Sequence, residues 1–214
     1  DLDTSRGLGD VYKRQLNVTF GDYDLKKVTT SNNFVINDKI ATRLSLASTT
    51  RDGFSKNVVT GQDLDDANSK GFRSDWMFNL NDTSSLRVFG QYFKVDRNGA
   101  AIRGIDDQTP GMRNLSQDTV SQHELSSMVI AAIYESDLGF ANLKAIASVQ
   151  EDDILVVRDN DRHNYLDPVL AIEGLPAGST YQRAEFTPET SLVDTTTLEI
   201  NLISNAVSYT HLRA

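Results

Sequence analysis

The residues able to do chemistry are few. The chain has no Cys, which excludes thiolate catalysis, thiolate metal sites and disulfides. None of the three histidines, His123, His163 and His211, has a second His or Cys at metal-ligand spacing. No Ser-His-Asp arrangement with a nucleophile elbow is present. Acidic clusters stand at "DLDD" (residues 63–66) and "DNDRHNYLD" (residues 159–167). Clustered carboxylates suit a hard cation such as Ca2+. Neither run has the glycine and bidentate Glu of an EF-hand, so both read as solvated acidic loops. Neither an enzyme activity, a cofactor nor a resident metal is expected.

What remains are groups that bind rather than react. Arg43, Arg73, Arg87 and Lys144 sit in the middle of alternating segments, on the polar parity. Arg103, Asp106, Asp107, His163 and Tyr165 fall in long polar stretches, where ligand-contacting residues concentrate. A net charge of -9 argues against a nucleic-acid partner, because phosphate binding needs a basic face.

The elements that would position these groups are strands. In "FRSDWMFNL", Phe72, Trp76, Phe78 and Leu80 oppose Arg73, Asp75 and Asn79. In "ANLKAIASVQ", Ala141, Leu143, Ala145, Ala147 and Val149 oppose Asn142, Lys144, Ser148 and Gln150. "LNVTF", "IATRLSL" and "TLEINL" alternate in the same way. Period two places one face in an apolar medium and the other in a polar one. Only "SSMVIAAIYES", residues 126–136, suits a buried helix as well as a strand. Short breakers at "NDK", "NDTS" and "DLG" alternate with three long polar stretches, near residues 55–69, 96–122 and 158–189.

These features predict an all-β fold: part of an antiparallel up-and-down transmembrane β-barrel, about eight strands of a larger one. The alternating segments run to about 10–14 residues, enough for a tilted membrane strand of roughly 9–11 and well above the soluble average of about 5–6. Tight turns on one side and long loops on the other are the habit of outer-membrane barrels. Tyr23, Phe54, Phe72, Tyr92 and Phe93 lie beside long loops or the first "GDYD" bend, and Phe34, Phe78, Tyr134 and Phe140 lie near short turns, as two interfacial aromatic rows would. No apolar run reaches the roughly 20 residues of a membrane helix, and the opening stretch lacks the basic and apolar regions of a signal peptide. In a barrel Arg43, Arg73, Arg87 and Lys144 would face the lumen, because a base on the lipid side costs about 2–4 kcal/mol at the midplane.

The ordered series of motifs resembles the first barrel strands of TonB-dependent outer-membrane receptors. It comprises the "GDYD" bend, the hairpin at residues 36–45, the "RDGFSKN" strand exit, the "GQDLDDANSKGFR" loop and re-entry, and "TTLEINLIS" near the end. The last departs from the family's usual strand opening in carrying Ile200 and Asn201 where a basic residue is common nearby. The resemblance covers most of residues 16–206. It implies active uptake of a scarce nutrient (a siderophore, cobalamin or a glycan) across the bacterial outer membrane. The implied partners are outer-membrane lipid, a small-molecule ligand, and a plug domain and the TonB protein, both outside this sequence. Such receptors are plugged barrels of roughly 22 strands. A porin-like barrel, or a soluble extracellular β-sandwich adhesin or carbohydrate-binding module, is the alternative.

The two ends have another reading. "SRGLGDVYKRQ" can be encoded by a DNA string whose reverse complement, in a shifted frame, encodes residues 206–214. That string resembles a transposase-end sequencing adapter. Residues 1–15 and 207–214 are therefore expected to be non-native, with residues 16–206 as the barrel segment.

Overall fold

The computed structural model describes residues 14–105, 107–160, 162, 164 and 188–205. The strands are β1 (Arg14–Gly21), β2 (Leu25–Asn37), β3 (Ile40–Arg51), β4 (Ser55–Asn57), β5 (Asp63–Leu64), β6 (Ala67–Asn81), β7 (Ser84–Arg97), β8 (Asn114–Leu115), β9 (Gln122–Asp137), β10 (Ala141–Val157) and β11 (Glu189–Ser204). Eight of them form one sheet in the order β1-β2-β3-β6-β7-β9-β10-β11. Every neighbouring pair is antiparallel and follows in chain order. This is the expected all-β meander of about eight strands. The sheet does not close on itself: β1 and β11 are each paired on one side only among the described residues. The ambiguous run at residues 126–136 is strand, inside β9. β1 begins at Arg14, two residues inside the segment read as adapter; the other adapter residues lie outside the described ones.

The short turns share one device. Asn37 Oδ1 accepts the Lys39 N–H at 2.9 Å, Asn81 Oδ1 accepts that of Thr83 at 2.9 Å, and Asp137 Oδ1 accepts that of Gly139 at 2.7 Å. Each Asx side chain mimics a backbone turn two residues on, which is why Asn and Asp punctuate this sequence. All three turns fall on one edge of the sheet. The opposite edge carries the long connections 52–66 and 98–121, the end of β10, the start of β11 and the tight β1–β2 bend. In that bend Tyr23 and Asp24 both have positive φ, 57° and 54°, the pattern of a type I′ turn. Neither is Gly, so the turn is strained. It is braced from outside: the Tyr23 carbonyl accepts the Asp52 N–H at 2.7 Å, the Tyr23 ring packs 5.6 Å from that of Phe54, and its hydroxyl accepts from Arg113 Nη1 at 3.2 Å.

Two of the long connections pack into one cap. β4 pairs with β5 antiparallel and with β8 parallel, joining segments nearly sixty positions apart. Leu64 (0% exposed), Leu115 (2%) and Asn57 (0%) are the most deeply buried large side chains of the described residues, so the core lies in the cap rather than on the sheet. Gly53 permits the close approach: a Cβ there would come within 2.5 Å of the Leu64 carbonyl oxygen.

The sheet's two faces differ in chemistry. Register puts Phe34, Thr42, Trp76, Val88, Ala132, Ala147 and Leu198 in one row, and Ile40, Phe78, Leu86, Tyr134, Ala145 and Ile200 in the next, both on the same face. On that face no charge interrupts β6 from Phe72 to Leu80, β7 from Leu86 to Tyr92, or β10 from Ala141 to Val149. Nothing described covers it: Leu198 is 75% exposed and Ile200 66%. The other face carries Arg43, Arg73, Asp75, Arg87, Gln91, Glu135 and Lys144.

Candidate functional site

The polar face gathers its charges around one carboxylate. Asp75 of β6 lies directly opposite Arg43 of β3 and Phe89 of β7. Arg73 precedes it by two residues on the same face. Arg87 lies diagonally across, opposite Met77. Arg87 Nε donates to Asp75 Oδ1 at 2.8 Å, and its Nη2 to Oδ2. Arg73 Nη2 donates to the same Oδ2 at 3.2 Å, and its Nη1 to Gln91 Oε1 at 3.0 Å. Phe89 lies under both guanidiniums, 4.1 Å from that of Arg73 and 5.7 Å from that of Arg87. Ring faces are negative and attract such cations. Arg43 is exposed and donates from Nε to Asn33 Oδ1 at 2.6 Å. Two guanidiniums thus share a single carboxylate, with Arg43 opposite it in register and bonded to Asn33.

Above the cluster, toward the loops, a groove of about 330 Å³ opens on the polar face. Gly71 forms its floor. A Cβ there would touch Phe93 Cδ2 at 3.4 Å and Ala47 Cβ at 4.0 Å, so the missing side chain makes the depression. Amides and hydroxyls from Asn17, Ser31, Ser45 and Gln91 line it together with Arg73. Nearer the short turns, Lys144 Nζ meets Glu135 Oε1 at 2.9 Å across the β9–β10 pair; both are about half exposed. The Asp75 carboxylate is occupied by two guanidiniums, so the chemistry on offer is hydrogen-bonded and charge-based recognition.

The structure brings the four mid-strand bases onto one face, with Arg43, Arg73 and Arg87 in one cluster and Lys144 in a separate pair. The loop candidates are placed differently. Arg103 spans its own loop: its Nη groups donate to the carbonyls of Asp107 (2.7 Å), Thr109 (2.7 Å) and Gly111 (3.1 Å). Asp107 is 7% exposed and accepts the N–H groups of Thr109 (2.8 Å) and Ser116 (3.1 Å). Burial alone would raise its pKa; the hydrogen bonds from Thr109 and Ser116 and the nearby Arg103 charge outweigh that and hold it below the ordinary Asp range. These two residues fold their loop. Asp106, His163 and Tyr165 lie outside the described residues.

The acidic run at 63–66 also stitches loops together. Asp63 pairs with Lys56 at 2.9 Å. Asp65 accepts from Ser55 Oγ at 2.6 Å and from the Ala101 N–H at 3.0 Å, and Asp66 accepts the Asn98 N–H at 2.8 Å. Burial raises the Asp66 pKa, against the bond from Asn98. No group of three or more metal-ligating side chains converges among the described residues. Sequence reasoning missed Gln62, whose side chain joins both long connections, and the central place of Asp75. For Asp75 a signal existed, since it shares the parity of Arg73 two positions away. For Gln62 there was none, because its partners lie far along the chain.

No protein-family model matches the chain, and a search of curated proteins finds no match for it.

Proposed function

We propose that this sheet is a section of the wall of a bacterial outer-membrane β-barrel, of the TonB-dependent receptor kind, that takes up a scarce small nutrient such as a siderophore, cobalamin or a glycan. The observation that carries the reading is the division of chemistry between the faces. An uncharged band runs nine residues along β6, from Phe72 to Leu80. That is about 27 Å along the strand, hence about 20 Å of bilayer at the usual tilt, close to the apolar band of such barrels. Arg43, Arg73, Arg87 and Lys144 are on the other face, which becomes the lumen. Long loops on one edge and Asx turns on the other give the outer and periplasmic rims.

In this reading further strands continue the edges at β1 and β11, because open edges invite pairing. The Asp75 cluster faces a plug domain, and the cap formed by the two packed loops shapes the outer mouth. The protein performs binding and transport without catalysis or a cofactor. A β-sandwich fits less well, since it would pack a second sheet on the apolar face, where Leu198 and Ile200 stand exposed.

The test is expression of the full-length gene in a Gram-negative host. The expected result is a heat-modifiable outer-membrane protein whose substrate uptake stops when TonB is deleted. Uptake that persists without TonB would indicate a porin-like barrel. A soluble, cooperatively melting monomer from residues 14–205 would refute the membrane reading.

A further inference from the structure

Asn98 and Gly99, just past the end of β7, form the one Asn-Gly step of the chain. An asparagine before glycine is prone to cyclise: the glycine nitrogen attacks the asparagine Cγ, and no Cβ crowds the ring that forms. Gly99 has a φ of 91°, which excludes most other residues from its place. It is buried beside Ser121, yet its N–H has no acceptor among the described residues. Buried N–H groups are nearly always paired. The attacking nitrogen thus has no hydrogen bond to break first.

The side chain under attack is held instead. Asn98 Nδ2 donates to the Asp63 carbonyl at 3.0 Å, and Gln62 Nε2 stands 3.5 Å from Asn98 Oδ1. The Asn98 N–H donates to Asp66 Oδ1 at 2.8 Å, and the Gly99 carbonyl accepts the Asp65 N–H at 2.9 Å. These contacts fix the step to residues 62–66 of the other long connection. They engage both amide atoms of the side chain while the cap is closed, and local opening of the cap releases them together.

We propose that Asn98 is a modification site: a deamidation switch that the closed cap guards and that keeps the cap loose once it has reacted. Gly99 N forms a bond to Asn98 Cγ and gives up its proton, and the amide nitrogen takes a proton and leaves as ammonia. Water then opens the succinimide at either carbonyl, leaving Asp or isoAsp at position 98. Water is the only co-reactant. Either product undoes the anchor. A carboxylate oxygen replaces the Nδ2 donor and faces the Asp63 carbonyl, turning an attraction into a repulsion. The new charge falls among Asp63, Asp65 and Asp66, with Arg51 and Arg97 the cations near Asp66. IsoAsp also lengthens the backbone by a methylene, which shifts the Gly99 carbonyl from the Asp65 N–H. The change runs one way, so opening of the cap is recorded covalently. The inference does not depend on the membrane reading.

The experiment ages the full-length protein at mildly alkaline pH beside the variants Gln62→Ala, Asn98→Gln and Asn98→Asp. Peptide mapping by mass spectrometry counts Asn, Asp and isoAsp at position 98, and hydrogen exchange follows the cap. The parent should convert slowly. Gln62→Ala should convert roughly tenfold faster, because losing its bonds raises the open population by that order, with protection of β6 and β7 unchanged. The products should be the Asp and isoAsp pair of a succinimide. Asn98→Gln, which would have to close a larger ring, should stay unmodified. Asn98→Asp should exchange the Asp65 and Ser121 amide hydrogens roughly tenfold faster than the parent. No conversion in Gln62→Ala, or conversion at the parent's rate, would overturn the guarded site. Asp without isoAsp would exclude attack by Gly99. Cap protection in Asn98→Asp equal to the parent's would show that the modification switches nothing.

Discussion

Gln62 and Ser121 form a two-way bond between the two long connections. Gln62 Nε2 donates to the Ser121 carbonyl at 2.9 Å, and Gln62 Oε1 accepts the Ser121 N–H at 2.8 Å. A side-chain amide here stands in for a strand, satisfying both groups of one backbone unit. Ser121 is buried, so its donor and acceptor have no ready alternative. The bond reinforces the β4–β8 pairing and makes the two connections one unit.

Removing that bond should open the cap locally. Gln62→Ala strands a buried N–H and carbonyl, at about 1–3 kcal/mol. Gln62→Glu keeps the acceptor but sets a carboxylate oxygen against the Ser121 carbonyl. Hydrogen exchange at Ser121 reads both changes. Faster exchange confined to residues 52–66 and 98–121 is expected, with β6 and β7 unchanged. Unaltered protection at Ser121 would show that the cap does not depend on Gln62.

Asp107 and Asp66 should respond to pH in opposite directions. The folded pKa of Asp107 lies below its unfolded value of about 3.9. Its stabilisation is therefore complete above that value and is lost as pH falls through the folded pKa. Asp66 has a raised folded pKa. Its ionisation is disfavoured in the fold, so stability declines as pH rises from the ordinary Asp range through the folded value. At neutral pH, Asp107→Asn turns an amide N–H2 or a weaker oxygen toward the Thr109 and Ser116 N–H groups, costing about 1–3 kcal/mol of loop protection. Asp66→Asn keeps an acceptor for Asn98 and should be neutral or mildly stabilising. Exchange rates from Arg103 to Ser116, followed from pH 7 downward in parent and variants, separate the two. Similar losses for both variants would count against this assignment.

Asp75 should matter because Arg73 and Arg87 share its carboxylate. Its side chain is 14% exposed. Asp75→Ala leaves these two guanidiniums without their shared partner, a cost of about 2–4 kcal/mol for a partly buried pair broken from one side. Asp75→Leu combined with Arg87→Met removes both partners and should recover most of it, as apolar replacement of an ion pair commonly does. The measurement is the urea midpoint of the folded protein. A double variant no more stable than Asp75→Ala would mean that the pair's value is not local.

The sheet was legible in the sequence because its signals are local. Period two sets the face of each residue, and an Asx residue two positions before an N–H sets each turn. Arg43, Arg73, Arg87 and Lys144 could thus be assigned to one face from parity alone. The cap was not legible. β4 and β8 are three and two residues long, and their parallel pairing leaves no periodic trace. Arg103 and Asp107 looked like exposed loop charges because nothing in "AIRGIDDQTPGMRN" shows that the guanidinium turns back onto three carbonyls of its own loop. Hydrogen-bonding side chains that fold a loop and those that wait for a ligand are the same residue types. Only the positions of their partners tell them apart.

The assignment of faces leads to the most direct test. Ile130 and Val129 are neighbours in β9, both apolar, and point to opposite sides of the sheet. Ile130 pairs with Gly90 and Val149 on the uncharged face, whereas Val129 pairs with Gln91 and Gln150 on the polar one. Residue type does not distinguish them; only register does. If the uncharged face meets lipid, Ile130→Arg brings a guanidinium toward the bilayer midplane and should cost about 2–4 kcal/mol, while Val129→Arg enters a hydrated lumen beside Gln91 and should cost well under 1 kcal/mol. Folding of the full-length protein into vesicles, titrated with urea, gives both numbers. Equal costs, or the larger cost at Val129, would reverse the assignment of the two faces. It would also withdraw the membrane argument from the band between Phe72 and Leu80.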